Sequence, residues 1–292
     1  MKNFGFALGL FAASLLQVSA QVKVEVMQPQ DQFLQGESLP TAVRITNRSG
    51  QTLRLGSEED WLTFSIEARD GTIVRQIGDA PVTGEFTLGS SKMATKRVDL
   101  APYFSLTHPG RYSIIATVKI KNWDHDLTSP PKDFDVIEGA KLWEQAVGVP
   151  KAAGENAAPE VRKYILQQAN YIKGQLRLFL RVTDSSGAKT FRVFSIGSMV
   201  SFSRPEPQVD KLSNLHVLYQ NGAHTFSYTV FNPDGELLTR DTYDMANNAH
   251  LRLQSDAEGE ISVAGGIRRM TANDLSAPKP ATPPDDAQKP KP

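Results

Sequence analysis

The sequence predicts an all-β chain: a β-sandwich, a short connecting segment, and a second antiparallel β domain that is either propeller-blade-like or another sandwich. Three observations carry that expectation. Apolar and polar residues alternate through both halves, as in Val22, Val24 and Val26 against Lys23 and Glu25, the pattern of strands with one buried face. Clusters such as Asn47-Arg48-Ser49-Gly50 and Asn232-Pro233-Asp234-Gly235 punctuate those runs with turns. The alternation lapses between 139 and 160, where Lys151 to Pro159 has the composition of a linker.

Residues 1–20 read as a secretory signal peptide: a basic start at Lys2, an apolar run from Phe4 to Leu16, and the small residues Val18-Ser19-Ala20 before a cut ahead of Gln21. That run, about thirteen residues, is shorter than the roughly 20 that span a bilayer, and no later segment approaches that length, so the chain is expected not to be membrane-spanning. About 270 residues then remain, enough for two domains with a core each.

Residues 21–138 form the first domain. After Val22 to Val26, Gln35-Gly36-Glu37-Ser38 introduces Ala42 to Thr46, and the Asn47 turn leads into Thr52 to Leu55. Leu62 to Ala68 and Thr72 to Ile77 are expected to pair as a hairpin through Asp70-Gly71, a dipeptide that tolerates positive φ. Gly110 to Lys121 is the last long strand. About seven strands over about 115 residues make a β-sandwich.

Residues 139–160 are expected to hold a short helix, with Leu142, Trp143 and Val147 on one side of Ala140 to Val147, followed by the linker. In the second domain, 161–270, Val161 to Ile172 fits strand better than helix. Leu176, Leu178, Leu180 and Val182 then alternate with Arg177, Phe179 and Arg181. Further strands are Phe191 to Ile196, Leu215 to Tyr219, Phe226 to Phe231, Glu236 to Thr242, Leu251 to Leu253 and Ile261 to Val263. They group into two blade-like units, 161–213 and 214–269, of about four strands each. A propeller ring needs 4 to 8 blades, so such units close a ring only by pairing with further copies. The tail, 271–292, is rich in Pro and Lys from Ala277 onward and is expected to be disordered.

Within the first domain, the order of an extended strand, Gln35-Gly36-Glu37, a strand ending in Asn47-Arg48-Ser49-Gly50, and Leu100 to Tyr112 with Pro109-Gly110-Arg111-Tyr112 resembles the immunoglobulin-like domains of bacterial secreted proteins. The protease-inhibitor-like and macroglobulin-like sandwiches are among them. The resemblance implies a fold and brings no activity with it.

Composition narrows the function. Lys plus Arg equal Asp plus Glu at 32 each, so no global field recruits nucleic acid. The chain has no cysteine, which excludes disulfides, thiolate zinc sites and cysteine nucleophiles. Export without disulfides or a lipidation cysteine suits a bacterial periplasm or the medium. Asn47-Arg48-Ser49 matches a glycosylation sequon, a pattern short enough to arise by chance.

No catalytic, cofactor or metal motif stands out, and no cofactor is expected. Trp123-Asp124-His125-Asp126 gathers two carboxylates and an imidazole, but alternate residues of an extended chain diverge, so a solvated loop over a packed Trp123 is expected. Glu58-Glu59-Asp60 lacks calcium-loop spacing and reads as a solvated turn. Asn232-Pro233-Asp234-Gly235 resembles in part the aspartate-box turn of sialidase-like propellers, which is itself structural. No Gly-x-Ser-x-Gly elbow or phosphate-binding glycine loop occurs. Among five histidines, His216 and His224 flank one hairpin and are expected at most to form a cross-strand polar pair.

The stretch after Phe202, Arg204-Pro205-Glu206-Pro207, is the candidate partner-binding site. Its prolines hold it extended outside sheet pairing, leaving Phe202 and Arg204 on a rim, and aromatic and arginine side chains commonly anchor protein contacts. The expectation is an exported, non-enzymatic binding or assembly protein of the bacterial cell envelope, with a protein partner or self-association. Two alternatives are a glycan-acting hydrolase with carboxylates gathered by the second domain, and a protease inhibitor using a first-domain loop such as Asp79 to Gly84.

Overall fold

In the computed structural model, which describes residues 22–121, 123–149, 160–170, 174–246 and 250–275, the first half of the chain forms ten strands. They are β1 (Val22–Met27), β2 (Gln32–Leu34), β3 (Pro40–Asn47), β4 (Leu53–Leu55), β5 (Leu62–Ala68), β6 (Phe86–Leu88), β7 (Met93–Asp99), β8 (Gly110–Val118), β9 (Leu127–Thr128) and β10 (Lys132–Ile137). One sheet runs β1-β3-β7, a second runs β2-β10-β8-β5 with β9 beside β8, and β4 pairs with β6. Only β2 and β10 are parallel within this domain. Inward-facing Val24, Val43 and Ile45 of the first sheet share one core with Phe64, Ile66, Ile114, Ala116, Val118 and Phe134 of the second. The leader residues 1–20 and the tail from 276 lie outside the described residues.

Trp61 fixes the irregular loop that follows β5 onto this core. Its ring is buried edge-on to Phe86, at a centroid distance of 5.7 Å, and its indole N–H donates to the Val82 carbonyl at 2.7 Å. Trp61→Phe keeps most of the packing and orphans that carbonyl, so it is expected to cost ~1–3 kcal/mol, read as a lower Tm in thermal unfolding.

The hairpin expected at Asp70-Gly71 does not form. Arg69 to Glu85 is irregular apart from a single bridge from Gln76 to Phe104, and β5 pairs instead with β8, from Leu62↔Val118 to Ala68↔Tyr112. Gly71 does adopt the positive φ of a turn, at 84°. Thr72 to Ile77 carries no buried face, however, with Ile73 and Ile77 exposed, so burial cannot hold it in a sheet.

The second half adds β11 (Ala140–Gly148), β12 (Val161–Asn170), β13 (Leu176–Asp184), β14 (Thr190–Ser198), β15 (Glu206–Val209), β16 (Leu215–Gln220), β17 (Thr225–Phe231), β18 (Leu237–Met245), β19 (Arg252–Ser255), β20 (Ile261–Ala264) and β21 (Gly266–Arg269). The helix expected within 139–160 is strand β11. It pairs antiparallel with β12 from Ala140↔Gln168 to Gly148↔Val161, with a bulge between Lys141 and Trp143. Pairing with a neighbouring strand overrides a local spacing that suits a helix, and Val147 enters the sheet core. The second domain therefore begins at Ala140, and its first four-stranded meander is β11-β12-β13-β14. The next is β15-β16-β17-β18, extended by β21, so the unit boundary falls between β14 and β15 instead of at 213. Residues 150–159, the expected linker, lie outside the described residues.

The layers of this half stack in a definite order. Tyr164, Leu166, Leu178, Leu180 and Val182 of one meander meet Leu215, Val217, Tyr219 and Phe231 of the next in a shared core. The opposite face of the second meander, through Leu218, Phe226, Tyr228 and Val230, is covered by Leu251 and Leu253 of the β19-β20 ribbon and its approach. All six residues of β16 are consequently buried.

The opposite face of the first meander packs on the first domain. Phe179, Ala169 and Val193 bury against Leu34 and Ile137, and the Arg181 guanidinium Nη2 donates to the Gln35 carbonyl. The tail expected to be disordered from 271 instead begins with a packed segment. Leu275 bridges Arg240, and one Asp274 oxygen accepts from Thr242 at 3.0 Å and from Thr271 at 2.7 Å. Among the described residues no helix is long and apolar enough to cross a membrane.

Candidate functional site

Phe202 and Arg204 lie where β14 hands the chain to β15. Val200 donates its N–H to the Gln220 carbonyl at 3.0 Å, which anchors the segment, and residues 201–202 then turn outward. Phe202 is 78% exposed and Arg204 is exposed. The expectation that the prolines keep this stretch out of a sheet is corrected at one of them. Glu206 and Pro207 begin β15, opposite Leu218 and Val217. Proline is tolerated there because β15 is the edge of its sheet. A four-residue edge strand carrying a proline discourages the addition of another strand, so contacts at this rim come from side chains.

At the other end of β15 the turn Lys211-Leu212-Ser213 projects Leu212, 66% exposed. Ser213 carries a positive φ of 64°. Asp210 holds the turn. Its Oδ1 accepts the N–H groups of Leu212 at 2.9 Å and Asn214 at 2.7 Å, while its Oδ2 accepts from Asn214 Nδ2 at 2.9 Å. Behind it, His216 Nε2 lies 3.2 Å from the same Oδ2, and His216 Nδ1 lies 2.6 Å from the Tyr228 hydroxyl. An ionised Asp210 only accepts, so Nε2 carries the proton and donates, while Nδ1 accepts from Tyr228.

Burial lowers the His216 pKa below its ordinary value against the opposing pull of Asp210. Burial works to raise Asp210, but hydrogen bonds from Asn214 and His216 outweigh it and leave its carboxyl below the usual range. Tyr228 is pushed up, chiefly by burial. A neutral imidazole between a carboxylate and a phenol stabilises the turn and offers no open face to a substrate, since His216 and Tyr228 are both buried.

The fold thus favours neutral His216. Its contribution to stability is fully present above the unfolded pKa of about 6.5 and is lost as pH falls from there through the lower folded value. Tm measured from pH 7.5 down to 5 is expected to fall in this window, and His216→Gln is expected to flatten that part of the profile. The predicted His216–His224 pair is absent: His216 sits opposite Val230 in the register, and His224 lies in the turn before β17. The Asp210–His216–Tyr228 group escaped sequence reasoning because a loop and two strands contribute to it. The register of β16 on β17, which only pairing reveals, brings it together.

The remaining motifs are structural. Asp124, His125 and Asp126 are exposed on the loop before β9, with the His125 ring 5.9 Å from that of Trp123, which packs at the core margin. Asp60 of the acidic run pairs with Lys119 at the surface. Asn232 Oδ1 accepts the N–H groups of Asp234 at 3.1 Å and Glu236 at 2.8 Å, and Asp234 in turn receives Arg162 Nη1 at 2.9 Å. Arg162 also lies 3.9 Å over the Phe191 ring, so this turn ties the two meanders together. The loop Asp79 to Gly84 is pinned at Val82, which is buried and accepts from the Trp61 indole, while Asp79, Pro81, Thr83 and Gly84 are exposed. Among the described residues no group of three or more His, Asp or Glu is placed to hold a metal ion.

No protein-family model matches the chain, and no curated protein sequence matches it. Among solved structures, the sporulation control protein Spo0M from Bacillus subtilis aligns with 61% of this chain and 91% of its own at 9% identity and a TM-score of 0.30. A likeness that weak carries no argument about fold or function.

Proposed function

We propose that the chain is an exported, non-enzymatic binding or assembly protein of the bacterial cell envelope that engages a protein partner through the rim of β15. The observation that carries this reading is Phe202, a large aromatic side chain left 78% exposed beside the exposed Arg204, with Leu212 at the far end of the same edge strand. An apolar side chain in water gains ~25 cal/mol per Å² when a partner covers it, and the Asp210 network already fixes the backbone that carries Leu212, which lowers the ordering cost on contact. The leader-like residues 1–20 and the absence of cysteine support export.

The test uses the purified protein as bait against envelope extract, with its oligomeric mass measured in parallel. Capture of a partner, or a stable oligomer, that is lost in Phe202→Ala and Arg204→Ala supports the reading. A monomer that captures nothing and turns over a glycan panel overturns it.

A further inference from the structure

Arg181 poses a problem that the fold alone does not answer. It projects from the face of β13 opposite the meander core, into a cleft of about 430 Å³ between the two domains. The guanidinium is half-buried, and burial holds its pKa below the ordinary arginine value. Its three hydrogen bonds all go to neutral acceptors: Gln167 Oε1 at 2.9 Å, the Thr190 hydroxyl at 3.4 Å and the Gln35 carbonyl. No carboxylate among the described residues lies within ion-pair distance of it. The buried Arg162, by contrast, pairs with both Glu160 and Asp234. A partly desolvated cation without a counter-charge is costly to the fold, and three bonds leave two of its five N–H groups to spend.

The surroundings narrow what would spend them. Among the residues lining the cleft, Arg181 is the sole cation. The one acid there, Glu37, turns back on its own loop, where its Oε2 accepts the Leu34 N–H at 2.7 Å. One positive charge beside one committed negative charge suits a monoanion and disfavours a dianion such as phosphate. Ile77, Leu106 and Ala188 give the opening an apolar margin, and the turn at Gly36, with φ of 78°, lets the backbone pass close to the guanidinium without a Cβ between them.

We propose that this interdomain cleft binds a small monocarboxylate with an apolar body, its carboxylate received by the Arg181 fork and its body lying against Ile77, Leu106 and Ala188. Arginine presents parallel N–H groups that match a carboxylate, and junctions between domains are frequent sites of small-molecule binding. The site is independent of the Phe202 rim, and neither reading requires the other.

The test is calorimetric titration of the purified protein with hexanoate and phenylacetate, with hexanamide and phenylacetamide as neutral counterparts and inorganic phosphate as the dianion. The expected result is that at least one acid binds, with its amide and phosphate at least about tenfold weaker, the worth of a charge-assisted hydrogen bond. Arg181→Gln is expected to abolish binding. Because that change also removes the strut to Gln35, Ala188→Trp serves as a second variant: it narrows the mouth without touching the guanidinium and is expected to abolish binding while circular dichroism stays unchanged. Binding of neither acid, equal binding of acid and amide, phosphate binding as tight as the acids, or undiminished binding by a folded Ala188→Trp protein overturns the proposal.

Discussion

Phe179→Ala is expected to cost ~3–5 kcal/mol, the usual loss on removing a buried phenyl ring, and to split one thermal transition into two. Phe179 is fully buried, yet it lies on the face of β13 that points away from the meander core, among Ala169, Val193, Leu34 and Ile137. Its removal therefore empties the joint between domains, while the first-domain core around Trp61 and the core between the meanders stay filled. Cooperativity between two domains depends on the interface they share, so the half that is less stable should melt on its own. Differential scanning calorimetry of wild type and variant separates the outcomes. A single transition shifted down as a whole would place Phe179 in the cooperative unit of one domain and contradict its role as a joint.

Asn47→Asp is expected to be of similar size, ~3–5 kcal/mol, the cost of a buried charge left without compensation. The change preserves shape and removes a donor. Asn47 ends β3 fully buried, where its Nδ2 donates to the Gln51 carbonyl at 2.7 Å and the Leu88 carbonyl at 2.9 Å, and its Oδ1 accepts the Ser49 N–H at 2.9 Å. With aspartate there, an oxygen would face two carbonyl oxygens and the carboxyl would resist ionising. Chemical denaturation at pH 5 and pH 8 should show the variant to be the weaker of the two proteins at both, with the deficit larger at pH 8. The same geometry disposes of the sequon: an amide committed to two carbonyls inside the sandwich is closed to glycan attachment in the folded chain.

What could be read from the residues followed from burial on one side only. Val22 and Val24 alternate because β1 has one dry face and one wet one, and they announce a strand plainly. β16 is dry on both faces, so alternation conveys no direction there, and nothing local shows that His216 faces inward to meet Asp210 and Tyr228. β11 departs from its local pattern for the complementary reason. Its Leu142, Trp143 and Val147 fit one side of a helix, and only the free edge of β12 decides otherwise. Asp70-Gly71 does turn the chain, but the partner of β5 is the distant β8, which a turn signal cannot name. The exposure of Phe202 follows from its place ahead of a proline-containing crossover, where among the described residues no sheet face covers the ring. Arg181 was not legible, because its position beside Gln35 depends on how two domains meet.

The stacking of the second half also dictates where its backbone can exchange protons with water. β16 lies between a meander on one face and the β19-β20 ribbon on the other, and it pairs along both edges with β15 and β17. Its amides have no local route to deuterium, so their protection should report the free energy of opening the whole domain, whereas the two-stranded ribbon can lift away and become labelled first.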